Sequence, residues 1–461
     1  MIETRNPATD EVLNHFQTQS WTDLDSLLSE GISAQRAWRQ IDAGHRAYLL
    51  HNVASILRDE ADDHARLITD EMGKPLAEAH AEVLKCALTC DFYADHAEAF
   101  LRPQPVSTDA VTSYVTYQPL GLVLAVMPWN FPYWQVIRFA APALAAGNGG
   151  VLKHASNVTG SALALQSVFE RAGFPAGLFS AVVVDDYVLV EKLIADPRIA
   201  AVTLTGSEKA GATVAAAAGA ALKKTVLELG GSDPFVILAD ADLDAVVPFA
   251  IKGRFVNSGQ SCLAAKRFIV EHKKYEGFED RIVKAVEKLV TGNPLNPETN
   301  IGPLAQAGFV NELDSQVQES IAMGARLLTG GHRLPGPGNF YAPTVLSDVT
   351  AEMPVFSEET FGPVLALMSA RDAEHAIDLA NTTRYGLAAS VWTADMRAGL
   401  ELGLRIEAGA LFINGVVASD PRLPFGGVKM SGYGRELSRE GMLEFMNVRT
   451  VWASEHPTTA P

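Results

Sequence analysis

The sequence predicts an α/β protein with two doubly wound parallel sheets and a small β arm. Short apolar runs, each followed by a segment of helix length, occur beyond residue 120 at 122–127, 151–152, 179–184 and 201–205. Runs that are buried on both faces and alternate with helices are typical of parallel sheets. A second series begins near Gly231, with strands expected at 235–238, 267–271, 389–393 and 410–413. The 461 residues exceed one ordinary core, which favours two large domains.

The region before the first strand series is predicted to be helical. Over residues 45–72, apolar residues recur with the 3.6-residue period of one helix, which Gly73-Lys74-Pro75 would end. Cys86 and Cys90 stand four residues apart on a further helix. Two sulfurs at that spacing can share a metal, but no His cluster completes a site, so packing is predicted and no metal is assigned.

Residues 113–118 differ from the neighbouring runs, because polar and larger side chains alternate there as in an exposed strand. Such a strand fits poorly into the core of a parallel sheet. We interpret it, together with residues 448–452, as an arm that joins subunits.

Composition restricts the partners and the compartment. The net charge of −17 disfavours nucleic acid and anionic membranes as partners. No run reaches the roughly 18 apolar residues of a membrane helix, and no secretory signal is visible at the N terminus. Three cysteines cannot all pair and suit a reducing compartment, so a cytoplasmic location is expected. The last residues, 455–461, are expected to be loose.

Cys262 is the strongest candidate for a catalytic residue. It follows Asn257-Ser258-Gly259-Gln260-Ser261, whereas a structural cysteine is normally surrounded by larger apolar residues. Small, polar, backbone-permissive neighbours let a thiol approach a substrate closely. Glu228, at the start of Glu228-Leu229-Gly230-Gly231, supplies a carboxylate that can act as its base. The boundary between the two predicted domains falls between these two residues, and such a cleft is where a ligand site is expected.

Two further segments follow predicted strands of the first series. Asn130, in Pro128-Trp129-Asn130-Phe131-Pro132, has an amide that can donate to an oxyanion, but an Asn that caps a turn explains it equally well. Thr205-Gly206-Ser207 leads into a helix and presents backbone N–H groups to a phosphate. The three closely spaced glycines of the usual dinucleotide motif are absent, so an ordinary strand-to-helix turn stays open as the alternative.

Five segments together resemble the aldehyde dehydrogenase superfamily, and they occur in the family order. They are Pro128-Trp129-Asn130-Phe131-Pro132, Glu228-Leu229-Gly230-Gly231, Gly259-Gln260-Ser261-Cys262, Glu359-Thr360-Phe361-Gly362-Pro363, and Pro424-Phe425-Gly426-Gly427 continued by Ser431-Gly432-Tyr433-Gly434-Arg435-Glu436. The resemblance implies a dinucleotide-binding domain at 1–104 and 119–230 and a catalytic domain at 231–432. Residues 105–118 and 433–461 would form the oligomerisation arm and C-terminal segment of a homodimer or homotetramer.

The resemblance also implies a mechanism. Cys262 would attack the aldehyde carbon as a thiolate, while the Asn130 amide and the Cys262 N–H hold the oxyanion. The thiohemiacetal would then lose hydride to a nicotinamide and leave a thioester. Glu228 would deprotonate the water that hydrolyses this thioester.

The resemblance also implies cofactor contacts for individual residues of this chain. Glu359 and Phe361 would hold the nicotinamide ribose side, Trp129 and Lys153 the adenosine side, and Gly206 with Ser207 the pyrophosphate. Where many members have Lys-Pro-Ser-Glu, this chain has Lys153-His154-Ala155-Ser156. Losing that Glu removes repulsion toward a 2′-phosphate, which favours NADP, and NAD stays open as the alternative.

The substrate assignment follows from two further positions. Arg138, eight residues after Asn130, matches a carboxylate-binding arginine of succinate-semialdehyde dehydrogenases, and Ser419 resembles a serine that assists there. A second arginine of some members is Val256 here, for which Arg254 or Lys266 would compensate. The chain looks most like the bacterial succinate-semialdehyde dehydrogenase subgroup, which implies oxidation of succinate semialdehyde to succinate.

Two alternatives stay open. The same mechanism serves another small aldehyde, such as glutarate semialdehyde or an aromatic aldehyde. A catalytically silent structural homologue is possible on the same fold, since fold alone never establishes activity.

Overall fold

The computed structural model describes residues 1–456. Its N-terminal part contains β1 (Ile2–Arg5), β2 (Val12–Phe16), α1 (Trp21–Trp38), α2 (Ala43–Asp59), α3 (Ala61–Met72), α4 (Leu76–Phe100), β3 (Gln104–Pro105) and β4 (Thr112–Pro119). The predicted helical region is confirmed, but the single helix over 45–72 is wrong. Glu60 leaves the helical region with φ −111° and splits the segment, so that α2 and α3 each pack against α4. The predicted end is correct: Gly73 adopts φ +82° and donates to Thr69 O.

The first large sheet follows, with a helix after each strand except the last. Its elements are β5 (Leu122–Met127), α5 (Trp134–Ala145), β6 (Gly149–His154), α6 (Thr159–Arg171), β7 (Phe179–Val182), α7 (Tyr187–Ala195), β8 (Ile199–Thr205), α8 (Glu208–Ala220) and β9 (Lys224–Glu228). The order β9-β8-β5-β6-β7 is parallel throughout. Its buried Val, Leu and Ala runs are those that predicted the sheet.

The second sheet begins at Asp233 and has seven strands. Its elements are β10 (Asp233–Ile237), α9 (Leu243–Phe255), β11 (Ala265–Glu271), α10 (His272–Val286), α11 (Ala307–Ala322), β12 (Arg326–Thr329), β13 (Thr344–Ser347), α12 (Pro354–Ser357), β14 (Val364–Ala370), α13 (Ala373–Asn381), β15 (Ala388–Trp392), α14 (Met396–Gly403) and β16 (Ala410–Ile413). The order is β12-β13-β14-β11-β10-β15-β16, and only the edge strand β12 is antiparallel to its neighbour. The predicted fold class, with two doubly wound sheets, is confirmed.

The C-terminal part contains β17 (Gly432–Tyr433), α15 (Ser438–Leu443) and β18 (Met446–Ala453). Gly432, which the sequence placed at the end of the second domain, pairs with Glu228 in the first sheet. The two predicted arm strands pair with each other, so that β18-β4-β3 forms a small antiparallel sheet. Its role between subunits, and the domain boundaries, stay predictions. Residues 457–461 of the expected loose tail lie outside the described residues.

The remaining cysteines belong to the core. Cys86 and Cys90 are fully buried on α4, which confirms their packing role. Within residues 1–456, no group of three or more His, Cys, Asp or Glu side chains could hold a metal ion. None of the helices in that part of the chain is both long and apolar enough to cross a membrane.

Arg267 lies fully buried on β11 and connects three elements of the second domain. Its guanidinium donates to Ser232 O at 2.9 Å, Leu379 O at 2.8 Å and Ala380 O at 2.9 Å. We expect Arg267→Met to lower the free energy of unfolding by roughly 3 kcal/mol, because the carbonyls lose buried donors. Urea unfolding against Arg281→Met, which removes an exposed pair with Asp244, measures this. Equal midpoints for both variants would contradict the assigned role.

Candidate active site

Cys262 is presented by a backbone turn that few residues can adopt. The helix α9 ends at Phe255, and Asn257, Ser258 and Gly259 then take φ values of 54°, 55° and 77°. A Cβ at Gly259 would overlap the carbonyl of Gly362, so only glycine fits there. Left-handed backbone at Ser258 costs about 1–3 kcal/mol and persists only where the surroundings hold it.

Hydrogen bonds from several elements hold this turn. The Asn257 N–H donates to Glu78 Oε2 at 2.6 Å, and the Asn257 amide donates to Asn130 O at 2.7 Å. The Asn130 amide in turn donates to Gln260 O at 3.2 Å. Because an amide nitrogen carries two hydrogens, one N–H of Asn130 stays available to another acceptor. The structure therefore brings Asn130 next to the loop that carries Cys262.

The first cavity beside Cys262 has a volume of about 820 Å³. Five of the predicted cofactor residues line it together with Asn130: Trp129, Gly206, Ser207, Glu359 and Phe361. The Trp129 ring stacks on Phe309 at 4.8 Å and meets Phe361 edge-on at 5.7 Å, measured between ring centroids. The floor is the N-terminal turn of α8, which Ser207 caps by accepting from the Ala210 N–H. An aromatic wall next to a helix N terminus suits a flat ring linked to phosphates.

Lys153 and Ser156 lie apart from that group. Lys153 is on β6, the strand beside β5, and Ser156 begins a short 3₁₀ turn after β6. Neither residue lines the first cavity. Burial lowers the pKa of Lys153, and Asp185 partly opposes this. Their predicted contact with the cofactor stays a prediction.

The second cavity has a volume of about 680 Å³ and also reaches Cys262. Its wall contains both Arg138 and Ser419, although the two are 281 residues apart in the sequence, and also Lys85, whose ammonium donates to Ser419 Oγ. The remaining lining is mixed: it includes the rings of Phe131 and Trp134 and the carboxyl groups of Glu78 and Glu82. Cys262 thus lies where two cavities of different chemical character meet.

Burial determines the protonation state of the Cys262 thiol. It raises the pKa of Cys262 to about 12, and the nearby Lys266 and Arg138 charges only partly oppose it. The Lys266 ammonium donates to Cys262 O at 2.8 Å and lies 3.1 Å from Glu359 Oε1. In the form described here Cys262 is therefore a thiol, because its charged state is poorly solvated.

Glu228 is at the end of β9, directly before Leu229 and Gly230 in the wall of the first cavity. Its carboxyl is buried, lines neither cavity and has no hydrogen-bond partner within residues 1–456. Burial first, and then the Glu436 carboxyl, raise its pKa well above the ordinary range. The side chain is therefore held protonated beside Glu436 in this conformation.

Arg254 and Lys266 cannot compensate at the substrate end, and that expectation is wrong. The Arg254 guanidinium is buried and donates to the carbonyls of Thr360, Gly362 and Val364. Lys266 is turned to backbone carbonyls behind Cys262. Neither residue lines the second cavity, because both positive charges are already used to bind carbonyl oxygens.

Sequence reasoning missed two residues of the cavity walls, Phe309 and Lys85. It also missed that Lys266 binds backbone carbonyls. A lysine in the buried strand β11 was a usable signal, since lysine is rarely buried without partners. Phe309 and Lys85 lie in amphipathic helices far from any motif, and nothing in the sequence distinguishes them from neighbouring helix residues.

Comparison with known proteins agrees with this geometry. A family model described as Aldehyde dehydrogenase family matches residues 1–451. The chain is 50% identical over 451 residues to a Synechocystis protein named as a probable succinate-semialdehyde dehydrogenase for NADP(+), covering 98% of this chain and 99% of that protein. It is 48% identical to an Escherichia coli succinate semialdehyde dehydrogenase for NAD(P)+, covering 97% and 96%.

A solved structure gives the same result in three dimensions. Succinic semialdehyde dehydrogenase from Streptococcus pyogenes, crystallised with NADP+, superposes with a TM-score of 0.96 at 39% identity and covers 99% of this chain and 100% of that one. The family match over residues 1–451 contains both sheets and every motif that carried the resemblance. The chain belongs to the aldehyde dehydrogenase family.

Proposed function

We propose that this chain oxidises succinate semialdehyde to succinate, with NADP as the preferred cofactor and NAD as a possible one. The observation that carries the proposal is the position of Cys262 in the walls of two cavities. One cavity has an aromatic wall and a helix N terminus, and the other is lined by cations together with apolar and acidic side chains. The relatives named above support the same substrate and cofactor.

In the proposed reaction, the Cys262 thiolate attacks the aldehyde carbon and forms an S–C bond. The carbonyl oxygen gains negative charge, and the free N–H of Asn130 and the backbone N–H of Cys262 hold it. Each such donor contributes about 10²–10³ in rate. Because the thiol pKa is raised to about 12, binding of the cofactor and substrate must favour the thiolate.

The first cavity fits the nicotinamide cofactor. The helix N terminus at Gly206 and Ser207 would hold the pyrophosphate, and Glu359 with Phe361 would hold the nicotinamide ribose. A Cβ at Gly230 would collide with the Glu359 carboxylate, so glycine keeps that position open. When bound, the nicotinamide supplies the two-electron acceptor of the oxidation. Lys153 and Ser156 would face a 2′-phosphate, with Trp129 near the adenosine side.

Glu228 is proposed to deprotonate the water that hydrolyses the thioester. To do so it must leave the buried position next to Glu436 and enter the cavity beside Leu229 and Gly230. Once solvated, the carboxyl loses the environment that raises its pKa and can accept a proton. The product acid and free thiol then result.

We also propose a cytoplasmic homodimer or homotetramer. The three unpaired thiols, Cys86, Cys90 and Cys262, suit a reducing compartment. The β18-β4-β3 sheet is antiparallel, and all but one of its residues are half-buried or exposed, with Val448 61% exposed. An exposed apolar residue on a small sheet is a suitable subunit contact. The proposed domain division at 230/231 corresponds to the loop between β9 and β10.

Initial-rate kinetics test the function directly. We expect NADP-dependent oxidation of succinate semialdehyde with kcat/KM above that for butanal, glutarate semialdehyde or benzaldehyde, and no turnover in Cys262→Ala. NAD should give a lower kcat/KM than NADP. Better oxidation of an uncharged aldehyde would refute the substrate proposal, and a preference for NAD would refute only the cofactor proposal.

Glu228→Gln separates the two halves of the reaction. The amide cannot accept a proton from water, so steady-state turnover should fall by about 10²–10⁴. Thioester formation does not need Glu228, so stopped-flow measurements should still show a burst of one reduced cofactor per subunit. A variant that loses the burst together with the steady-state rate would place Glu228 outside the hydrolytic step.

The thiol pKa predicts how alkylation depends on pH. Only the thiolate reacts with iodoacetamide, so inactivation of the cofactor-free protein should accelerate about tenfold per pH unit from 7 to 9. The measurement is the loss of dehydrogenase activity. It reports on Cys262, because Cys86 and Cys90 are buried away from the reagent. A plateau inside that range would show that the thiol ionises near neutral pH and would contradict the burial argument.

A further inference from the structure

Lys266 lies fully buried on β11, and its ammonium has three contacts behind Cys262. It donates to Ser261 O at 2.9 Å and to Cys262 O at 2.8 Å, and it lies 3.1 Å from Glu359 Oε1. An ammonium carries three hydrogens, so these three acceptors use all of them. The Lys266 side chain is therefore fixed in place, and it lines neither cavity.

The Ser261 carbonyl is one end of the peptide group that joins Ser261 to Cys262, and the Cys262 N–H is the other end. The carbonyl accepts two hydrogen bonds, because the Ala264 N–H donates to it at 3.1 Å in addition to Lys266. Within residues 1–456, the Cys262 N–H itself donates to no backbone or side-chain acceptor. This N–H is therefore available to a negatively charged oxygen that forms beside the thiol.

A cation at the carbonyl end of a peptide group changes the N–H end as well. It draws electron density toward the oxygen, so the amide hydrogen becomes more positive and a stronger donor. Hydrogen bonds that are linked through one group strengthen each other in this way, and a low dielectric increases each of them. Lys266 meets both conditions, because it is charged and fully buried. Its contact with Ser261 O therefore acts on the Cys262 N–H through a single peptide.

The neighbouring buried cations bind other groups. Arg254 donates to the carbonyls of Thr360, Gly362 and Val364. Arg267 follows Lys266 on β11 and projects from the opposite face of the sheet, where it binds three carbonyls of its own domain. The contact with the Ser261–Cys262 peptide thus belongs to Lys266.

We propose that Lys266 is a positioning residue for the oxyanion, because it holds and polarises the Ser261–Cys262 peptide so that the Cys262 N–H binds the oxyanion more strongly. This inference rests on the proposed function, in which that N–H is an oxyanion donor. Complete loss of one such donor lowers the rate about 10²–10³-fold, so loss of its polarisation should cost roughly tenfold. Through Glu359, the same ammonium joins this peptide to the proposed nicotinamide ribose contact.

Two reactions of Cys262 in the cofactor-free protein test the proposal. With 4-nitrophenyl acetate, the sulfur bonds to the acetyl carbon, the carbonyl oxygen becomes an oxyanion, and the C–O bond then breaks and 4-nitrophenolate leaves with the electron pair. With iodoacetamide, an S–C bond forms and iodide leaves, and no oxyanion occurs. Both reactions need the thiolate. The ratio of the first-turnover rate of acylation to the rate of alkylation therefore isolates oxyanion binding from ionisation of the thiol.

In Lys266→Met we expect this ratio to fall roughly tenfold, because the Ser261 carbonyl loses its charged donor. The burst of reduced cofactor with succinate semialdehyde should slow by at least the same factor, since thioester formation passes through the same oxyanion. Lys266→Arg retains a charged donor and should keep the ratio within about threefold of the unmodified protein. Lys266→Gln retains only a neutral donor, so its ratio should lie between those of the other two variants.

Arg267→Met is the matched control. It also removes a buried cation of β11 from three backbone carbonyls, but these belong to Ser232, Leu379 and Ala380. It should lower stability and leave the ratio unchanged. An unchanged ratio in Lys266→Met, or an equal fall in Arg267→Met, would overturn the proposal. If Lys266→Met does not fold, the same comparison is made with Lys266→Gln.

Cys262→Ala separates failure of this inference from failure of the proposed function. If that variant releases 4-nitrophenolate with the burst of the unmodified protein, Cys262 is not the nucleophile, and the proposed function and the inference fail together. If Cys262→Ala shows no burst and the Lys266 variants keep the ratio of the unmodified protein, the inference alone fails.

Discussion

The buried guanidinium of Arg254 is the interaction on which the rest of the site depends. It donates to Gly259 O at 3.4 Å and to Thr360 O at 3.1 Å, and it also binds the carbonyls of Gly362 and Val364. One side chain therefore joins the turn that presents Cys262 to the segment that carries the proposed nicotinamide contacts. Carbonyls at a left-handed turn have no helical or sheet partner, and an unpaired buried carbonyl is costly.

Burial explains the protonation state of the two proposed catalytic groups. Cys262 and Glu228 both lie where their charged forms are poorly solvated, so each holds a proton in the form described here. Groups that must change protonation during a reaction are commonly placed in such surroundings. Solvation by ligands, or movement of the Glu228 side chain, then becomes the step that activates them. Deprotonation of these two groups would then depend on ligands bound in the two cavities.

The second cavity shows that packing decides the partners of each charged side chain. Arg138 occupies the expected position and lines the expected cavity, yet its charge is balanced by Glu436. Lys85 comes from α4, a helix that carries no motif, and reaches the same cavity beside Ser419. The two cations differ in the side chains that they contact, Glu436 for Arg138 and Ser419 for Lys85. Those contacts are set by the packing of distant segments.

The sequence by itself determined the two parallel sheets, because the continuous apolar runs at residues 122–127 and 235–238 indicate strands that are buried on both faces. Local composition also indicated Cys262 and Asn130, whereas Trp129 and Phe361 were implied by the resemblance to the aldehyde dehydrogenase superfamily. The break at Glu60 and the β1–β2 hairpin were not predictable, because short, half-exposed segments carry a weak periodic signal.

The tertiary structure alone decided which side chains share a cavity and which charges are free. Residues 85, 138 and 419 meet only after α4, α5 and the loop beyond β16 have packed together. Whether Arg254 faces a ligand or a carbonyl, and whether Glu228 faces water or Glu436, depends on contacts between elements distant in the chain. The sequence specifies the chemical groups, whereas burial and pairing, which are set by packing, specify their charge and their access to a substrate.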